Sequence, residues 1–235
     1  EKKPEGVLGI LRVTDGGARL LPISKKQYEE LVVDAADLGP AQDGDLVSVD
    51  VIRSGRFGLS RARVRETIGN LRSEKAVSMI AIHANDIPHV FPEAVIREAE
   101  AAKAATMANR EDWRALPLVT IDPPDAKDHD DAVHAIADED PANAGGHVVT
   151  VAIADVAAYV RPAANLDREA LKRGNSVYFP DRVIPMLPER ISNDLCSLKE
   201  GVDRPALAVR MVFGADGRKK SHTFHRILMR SAAKL

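Results

Sequence analysis

Asp122, Asp125, Asp128, Asp130 and Asp131 fall within ten residues, balanced in charge only by Lys127 and, when protonated, His129. Each carboxylate raises the proton affinity of its neighbours, a cost that a shared cation removes. All-oxygen ligation, with no cysteine and no obligate histidine, suits a hard ion such as Mg2+, with Mn2+ as a substitute. The plainer alternative is a solvated turn that carries a helix cap. Against it stands the setting: the acids lie between two apolar strand-like runs, Leu118–Ile121 and Ala132–Ile136. Loops between strands sit at sheet edges, where ligands bind. An EF-hand is excluded, because counting from Asp128 puts Val133 at the position that must be glycine.

A second cluster is basic. Arg53, Arg56, Arg61, Arg63 and Arg65 follow one another with no acid between them. Such a run can track a phosphate backbone by charge and bidentate hydrogen bonding, or can simply be a solvated face. Tyr28 and Phe57 are the aromatics of that region, fewer than a base-stacking surface normally carries. Tyr178 stands in an irregular stretch, Asn175–Pro180, as a core plug or as a flat face for a base. Asp155, at the end of an apolar run, suits a supporting or ligand role and a turn cap equally. Cys196 has no base at a recognisable spacing and reads as a buried small side chain.

The elements that must position these residues are legible in outline. Residues 6–69 read as five short strands, among them Val7–Val13, Arg19–Ile23, Asp45–Ile52 and Arg61–Ile68, with a helical or looped break near Gln27–Ala36. Asp15-Gly16-Gly17 and Asp43-Gly44 supply turns. That count suits an OB-type barrel. Val77–Ile82 reads as a strand, and Pro92 opens an alanine-rich helix running to about Asn109. Then come Ala132–Ile136 and His147–Val156 as strands, and a helix Arg168–Arg173 capped by Asp167 and ended by Gly174. A hairpin follows, formed by Ala206–Phe213 and Ser221–Arg230 about Asp216-Gly217.

Composition sets bounds. A chain of 235 residues with 45% hydrophobic and 29% charged side chains can bury more than one core. A formal net charge of −2 gives no global nucleic-acid signature, so affinity for RNA must come from local patches. One cysteine, unable to form an internal disulfide, points to a reducing cytoplasm. No apolar run approaches the roughly 18 residues of a membrane span.

The stretch Thr120–Val133 resembles the signature of the ribonuclease II/ribonuclease R family of 3′-to-5′ exoribonucleases, the RNB catalytic domain. The resemblance continues through Val151–Val156, Leu166–Ala170, Arg173–Pro180, Ile184–Pro188 and Ser192–Leu198. It implies an α+β chain: a cold-shock-like OB barrel at 1–69, a connecting segment with a helix at 70–115, and the N-terminal half of a mixed α/β RNB domain at 116–235. It implies hydrolysis of single-stranded RNA from its 3′ end to 5′-mononucleotides by a monomer. Asp122, Asp128, Asp130 and Asp131 would hold Mg2+, and Tyr178 would stack on the terminal base. The family's catalytic arginine, its acidic partner and its S1-type domain lie downstream of the matched residues. The chain therefore reads as a piece of a longer protein, and the alternative is an RNA-binding or metal-binding module without turnover.

Overall fold

The computed structural model describes residues 6–14, 17–23, 29–52, 60–70 and 74–235. In chain order these form β1 (Val7–Thr14), β2 (Gly17–Pro22), β3 (Leu31–Val33), β4 (Asp45–Ile52), β5 (Arg61–Asn70), α1 (Glu74–Ala84) and α2 (Glu93–Ala101). There follow β6 (Glu111–Asp112), β7 (Val119–Thr120), β8 (Asp131–Ala137), β9 (His147–Ala154) and α3 (Asn165–Arg173). The last strands are β10 (Val177–Phe179), β11 (Arg182–Ile184), β12 (Asp203–Phe213), β13 (Lys219–Arg230) and β14 (Ala233–Lys234). The architecture is α+β. Two compact units form, one of Glu1–Val90 with Ser176–Ile184, the other of Phe91–Asn175 with Pro185–Leu235.

The first unit is a closed five-stranded barrel in the order β1-β2-β3-β5-β4. Period-two alternation turns Leu11, Leu20, Leu31, Val33, Val47 and Val49 inward, all essentially unexposed. The segment read as a strand at Val77–Ile82 is instead part of α1. Its β-branched content misleads. Ala76, Met79 and Ile80 recur at helical spacing and pack on Leu8 and Leu46, so burial of that stripe outweighs strand propensity. The β10–β11 hairpin belongs to this unit, where the expectation was an irregular stretch. The Ser78 hydroxyl donates to Asp181, and Arg182 Nη1 lies 3.1 Å from the Met79 sulfur.

The second unit is a seven-stranded sheet in the order β14-β7-β8-β9-β12-β13-β6. One face carries the core. Ala132, Ala152, Ala154, Ala206 and Ala208 present small side chains there, and Val95, Ala99, Leu166, Ile191 and Leu198 fill the space above them. The alanine-rich helix ends at Ala101, not Asn109, because Ala102 turns extended and Ala102 and Ala105 join that core. Helix propensity yields to tertiary burial. Asp167 lies inside the first turn of α3 and does not cap it. Its Oδ2 accepts from the Ala163 amide at 2.7 Å, reaching back ahead of the helix. Gly174 ends α3 at φ 78°, a conformation that favours glycine. Cys196 is buried, and burial pushes its thiol up to about 12.

Candidate active site

The acidic run connects β7 to β8, which pair antiparallel at Val119↔Val133. Val119 and Thr120 also pair in parallel with Ala233 and Lys234 of β14, so the strand entering the loop is held on both edges. At the entry, the Asp122 amide donates to the Leu235 carbonyl at 3.3 Å. Pro123 and Pro124 end the strand, and a turn closes by the Ala126 amide donating to the Pro123 carbonyl at 3.0 Å. At the exit, the Asp130 carbonyl accepts from the Ala154 amide at 2.9 Å, and Asp131 lies opposite Ile153 at the start of β8.

The middle of the loop is fixed by residues that show no role in the local sequence. Ser197 is fully buried. Its hydroxyl donates to the Lys127 carbonyl at 2.8 Å and accepts from the His129 amide at 3.2 Å. His129 is buried, with Nε2 3.0 Å from the Ala126 carbonyl, and its own carbonyl accepts from the Leu198 amide at 2.7 Å. Arg204, also buried, donates from Nε to the Ser197 carbonyl at 2.9 Å and from Nη2 to Asp194 at 3.3 Å. Lys234 reaches the Ala126 carbonyl at 3.4 Å. The signal for this clamp was the Ser192–Leu198 motif, whose serine looks unremarkable until the fold places it under the loop.

The carboxylates act on one another. The Asp130 carboxyl is held above the usual range, first by partial desolvation and then by the charges of Asp131, Asp128 and Asp122. Asp122 Oδ2 is buried with no hydrogen-bond partner. A buried, unpartnered carboxylate oxygen costs free energy unless something positive meets it. The donor set, all hard oxygens, fits Mg2+ or Mn2+. Among the described residues, no three histidine, cysteine or acidic side chains stand together as a ready-made cage.

Other expected site residues fall elsewhere. Asp155 neither caps its turn nor joins the loop. Its Oδ2 accepts from Arg110 at 2.7 Å and from Arg226 at 3.0 Å. Burial pushes this carboxyl up, but those hydrogen bonds and charges outweigh it and hold it below the usual range. Tyr178 lies in the barrel unit, on β10, with 66% of its surface exposed. Arg61, Arg63 and Arg65 point outward from β5, while Arg53 and Arg56 lie outside the described residues. The run without acids in sequence is not without them in space: Arg61 meets Asp34 at 3.0 Å, Arg63 meets Asp37 at 2.5 Å and Arg65 meets Asp50 at 3.9 Å.

The RNB domain family matches residues 110–235, which contain the whole loop and its clamp. The chain belongs to the RNB-domain family. A cold shock domain model matches residues 20–92, most of the barrel and the segment after it. Ribonuclease R of Escherichia coli strain K12 is 37% identical over 239 residues, covering 99% of this chain and 29% of that relative. Ribonuclease R of Vibrio parahaemolyticus is 36% identical over 240 residues, covering 100% and 28%. The chain thus spans less than a third of the length of these curated relatives. Mycoplasma genitalium RNase R in complex with double-stranded RNA superposes with a TM-score of 0.78 at 25% identity, covering 100% of this chain and 42% of that one. Yeast Ssd1, a pseudonuclease, shares the fold at a TM-score of 0.63 and 15% identity, over 100% of this chain and 31% of its own.

Proposed function

We propose that this chain is the metal-holding and RNA-guiding part of a 3′-to-5′ exoribonuclease that degrades single-stranded RNA to 5′-mononucleotides. In this reading residues 1–69 guide RNA, 70–115 connect, and 116–235 supply the RNB catalytic part. The observation that carries it is the clamped loop Asp122–Asp131, with its partly desolvated Asp130 and the unpartnered Oδ2 of Asp122. Relatedness to ribonuclease R at 36–37% identity supports the same reading.

Asp122, Asp128, Asp130 and Asp131 would hold Mg2+, which when bound supplies charge neutralisation and water activation at the phosphodiester. The chain's own residues do the rest. Hydrogen bonds with Ser197, Ala154 and Leu235 hold the loop backbone, so only the carboxylate side chains remain to be ordered around an ion. Tyr178 offers an exposed ring to the 3′-terminal base. Arg61, Arg63 and Arg65 can exchange their exposed acid partners for backbone phosphates. The reading includes a monomer in the cytoplasm, consistent with a single, buried cysteine. Among the described residues, no helix is long and apolar enough to cross a membrane.

The test is calorimetric titration of Mn2+ into the chain and into its Asp130→Asn variant, with a single-stranded oligonucleotide titrated in parallel. The variant should lose most Mn2+ binding while RNA affinity stays near that of the parent. Equal Mn2+ binding by both would remove the assignment. A second reading, an RNA-binding module without turnover, draws on the fold shared with the pseudonuclease Ssd1. RNA binding without mononucleotide release in Mg2+, by the full-length parent protein, would favour it.

A further inference from the structure

A cavity of about 400 Å3 opens beside the end of β9, walled by small alanines and lined by Thr106, Asn109, Arg110, Arg161 and Arg226. All of these lie in the sheet unit. The arginines are built in to different depths. The Arg110 side chain is only 5% exposed, fixed by Asp155 and by the Ile227 carbonyl at 3.4 Å. The Arg226 side chain is 49% exposed and shares the Asp155 carboxylate, and Arg161 is exposed. Two of the three guanidinium groups share one carboxylate and Arg161 adds a third positive charge, so the cavity carries an excess of positive charge. Arg110 and Arg226 already have their acid partner, so what remains unsatisfied is charge spread over the mouth, which suits a delocalised anion.

The position of the cavity is set by register. Asp131 pairs with Ile153, Ile153 with Leu207, and Leu207 with Arg226. Directly paired residues share a face, so Asp131 and Arg226 stand at opposite ends of one row on the sheet face away from the core. Three strand spacings separate them, roughly 14 Å. Ile153 and Leu207, between them, are 47% and 51% exposed. One nucleotide cannot bridge that row, whereas a short oligonucleotide can.

We propose that Arg110, Arg161 and Arg226 form a phosphate subsite for the RNA backbone, more than one nucleotide from the carboxylate loop. The inference rests on the proposed action on RNA and adds a residue set to it. Arg161 and Arg226 meet the phosphates from the rim, and Arg110 holds Asp155 and the wall of the cavity in place.

The experiment measures binding of a single-stranded 12-nucleotide RNA over a range of KCl by the whole chain and by an Arg161→Gln/Arg226→Gln variant. Arg110 is left intact so that Asp155 keeps a partner, and circular dichroism verifies the fold. Affinity should fall on the order of tenfold near 0.1 M salt, and the salt slope should flatten by about 1.4, roughly 0.7 for each phosphate that is no longer neutralised. The corresponding double Lys variant should keep most of the slope. Unchanged affinity and slope, with the unaltered chain binding RNA, would overturn the subsite alone. No RNA binding by the unaltered chain would remove the proposed function with it. AMP binding that is equally sensitive to the two substitutions would also overturn it, in favour of a free-nucleotide site.

Discussion

On the barrel, Arg61, Arg63 and Arg65 meet Asp34, Asp37 and Asp50 through side chains that are 20–64% exposed. In the sheet unit, the pairs Arg173–Glu169 and Arg110–Asp155 involve side chains only 2–9% exposed. The chemistry of the pairs is the same, and their consequences differ. An exposed pair is screened and worth about 0–1 kcal/mol, so either member can change partner at little cost. A buried pair is expensive to break, because the abandoned charge has no water to turn to. The barrel's arginines are therefore free to meet an incoming phosphate, while the buried pairs of the sheet unit stay fixed, Arg173–Glu169 within α3 and Arg110–Asp155 between distant segments.

The sharpest break in that comparison comes at Arg173. Its Nε donates to Glu169 at 2.9 Å, its Nη1 to the Pro185 carbonyl at 3.1 Å, and its guanidinium lies 3.6 Å from the Phe91 ring centroid. Arg173→Ala should cost roughly 3–5 kcal/mol, read from urea unfolding. Adding Glu169→Gln should recover part of the loss, since the unpaired charge is then gone. A cost below about 1 kcal/mol would make this pair no different from those on the barrel.

Asp155 sharpens the same contrast through pH. Its carboxyl is held below the ordinary value, so its contribution is present above the unfolded pKa, roughly 4, and is lost as pH falls through the lower folded value. Asp155→Asn should destabilise by roughly 2–3 kcal/mol at pH 7, where a charged acceptor becomes a neutral one. Unfolding measured from pH 7 downward should show parent and variant converging below about pH 4. A gap independent of pH would mean that shape, not charge, sets the role of Asp155.

The smallest effect on stability belongs to the barrel. Arg61→Ala with Arg63→Ala should shift unfolding by less than about 1 kcal/mol. It should nevertheless weaken binding to all single-stranded RNA sequences alike and flatten the salt dependence. A large loss of stability with unaltered RNA binding would reverse the assignment, making these arginines structural.

Legibility in the sequence followed the range of the interaction. Alternation in His147–Ala154 marks a strand because burial of every second residue acts within the segment itself. Gly174 marks a helix end for an equally local reason. Val77–Ile82 misleads because a stripe of alanine, methionine and isoleucine counts only once a barrel end lies beneath it. The end of α2 and the partners of Asp155 are likewise invisible, since Arg110 and Arg226 are 45 and 71 residues distant in the chain.

For the site, the chemistry is written in the local sequence. Five aspartates on a loop broken by two prolines crowd negative charge wherever the loop stands, because like charges in one short segment cannot escape one another, and that crowding is the ground for the proposed hard-oxygen ligation. How that loop is held is a matter of the assembled fold. Ser197 lies 70 residues beyond Lys127 and Ala154 lies 24 beyond Asp130, and each meets its partner only when the sheet forms. Hydrogen bonds have a reach of about 3 Å, so the clamp depends on strand register, which no local pattern around Asp122–Asp131 contains.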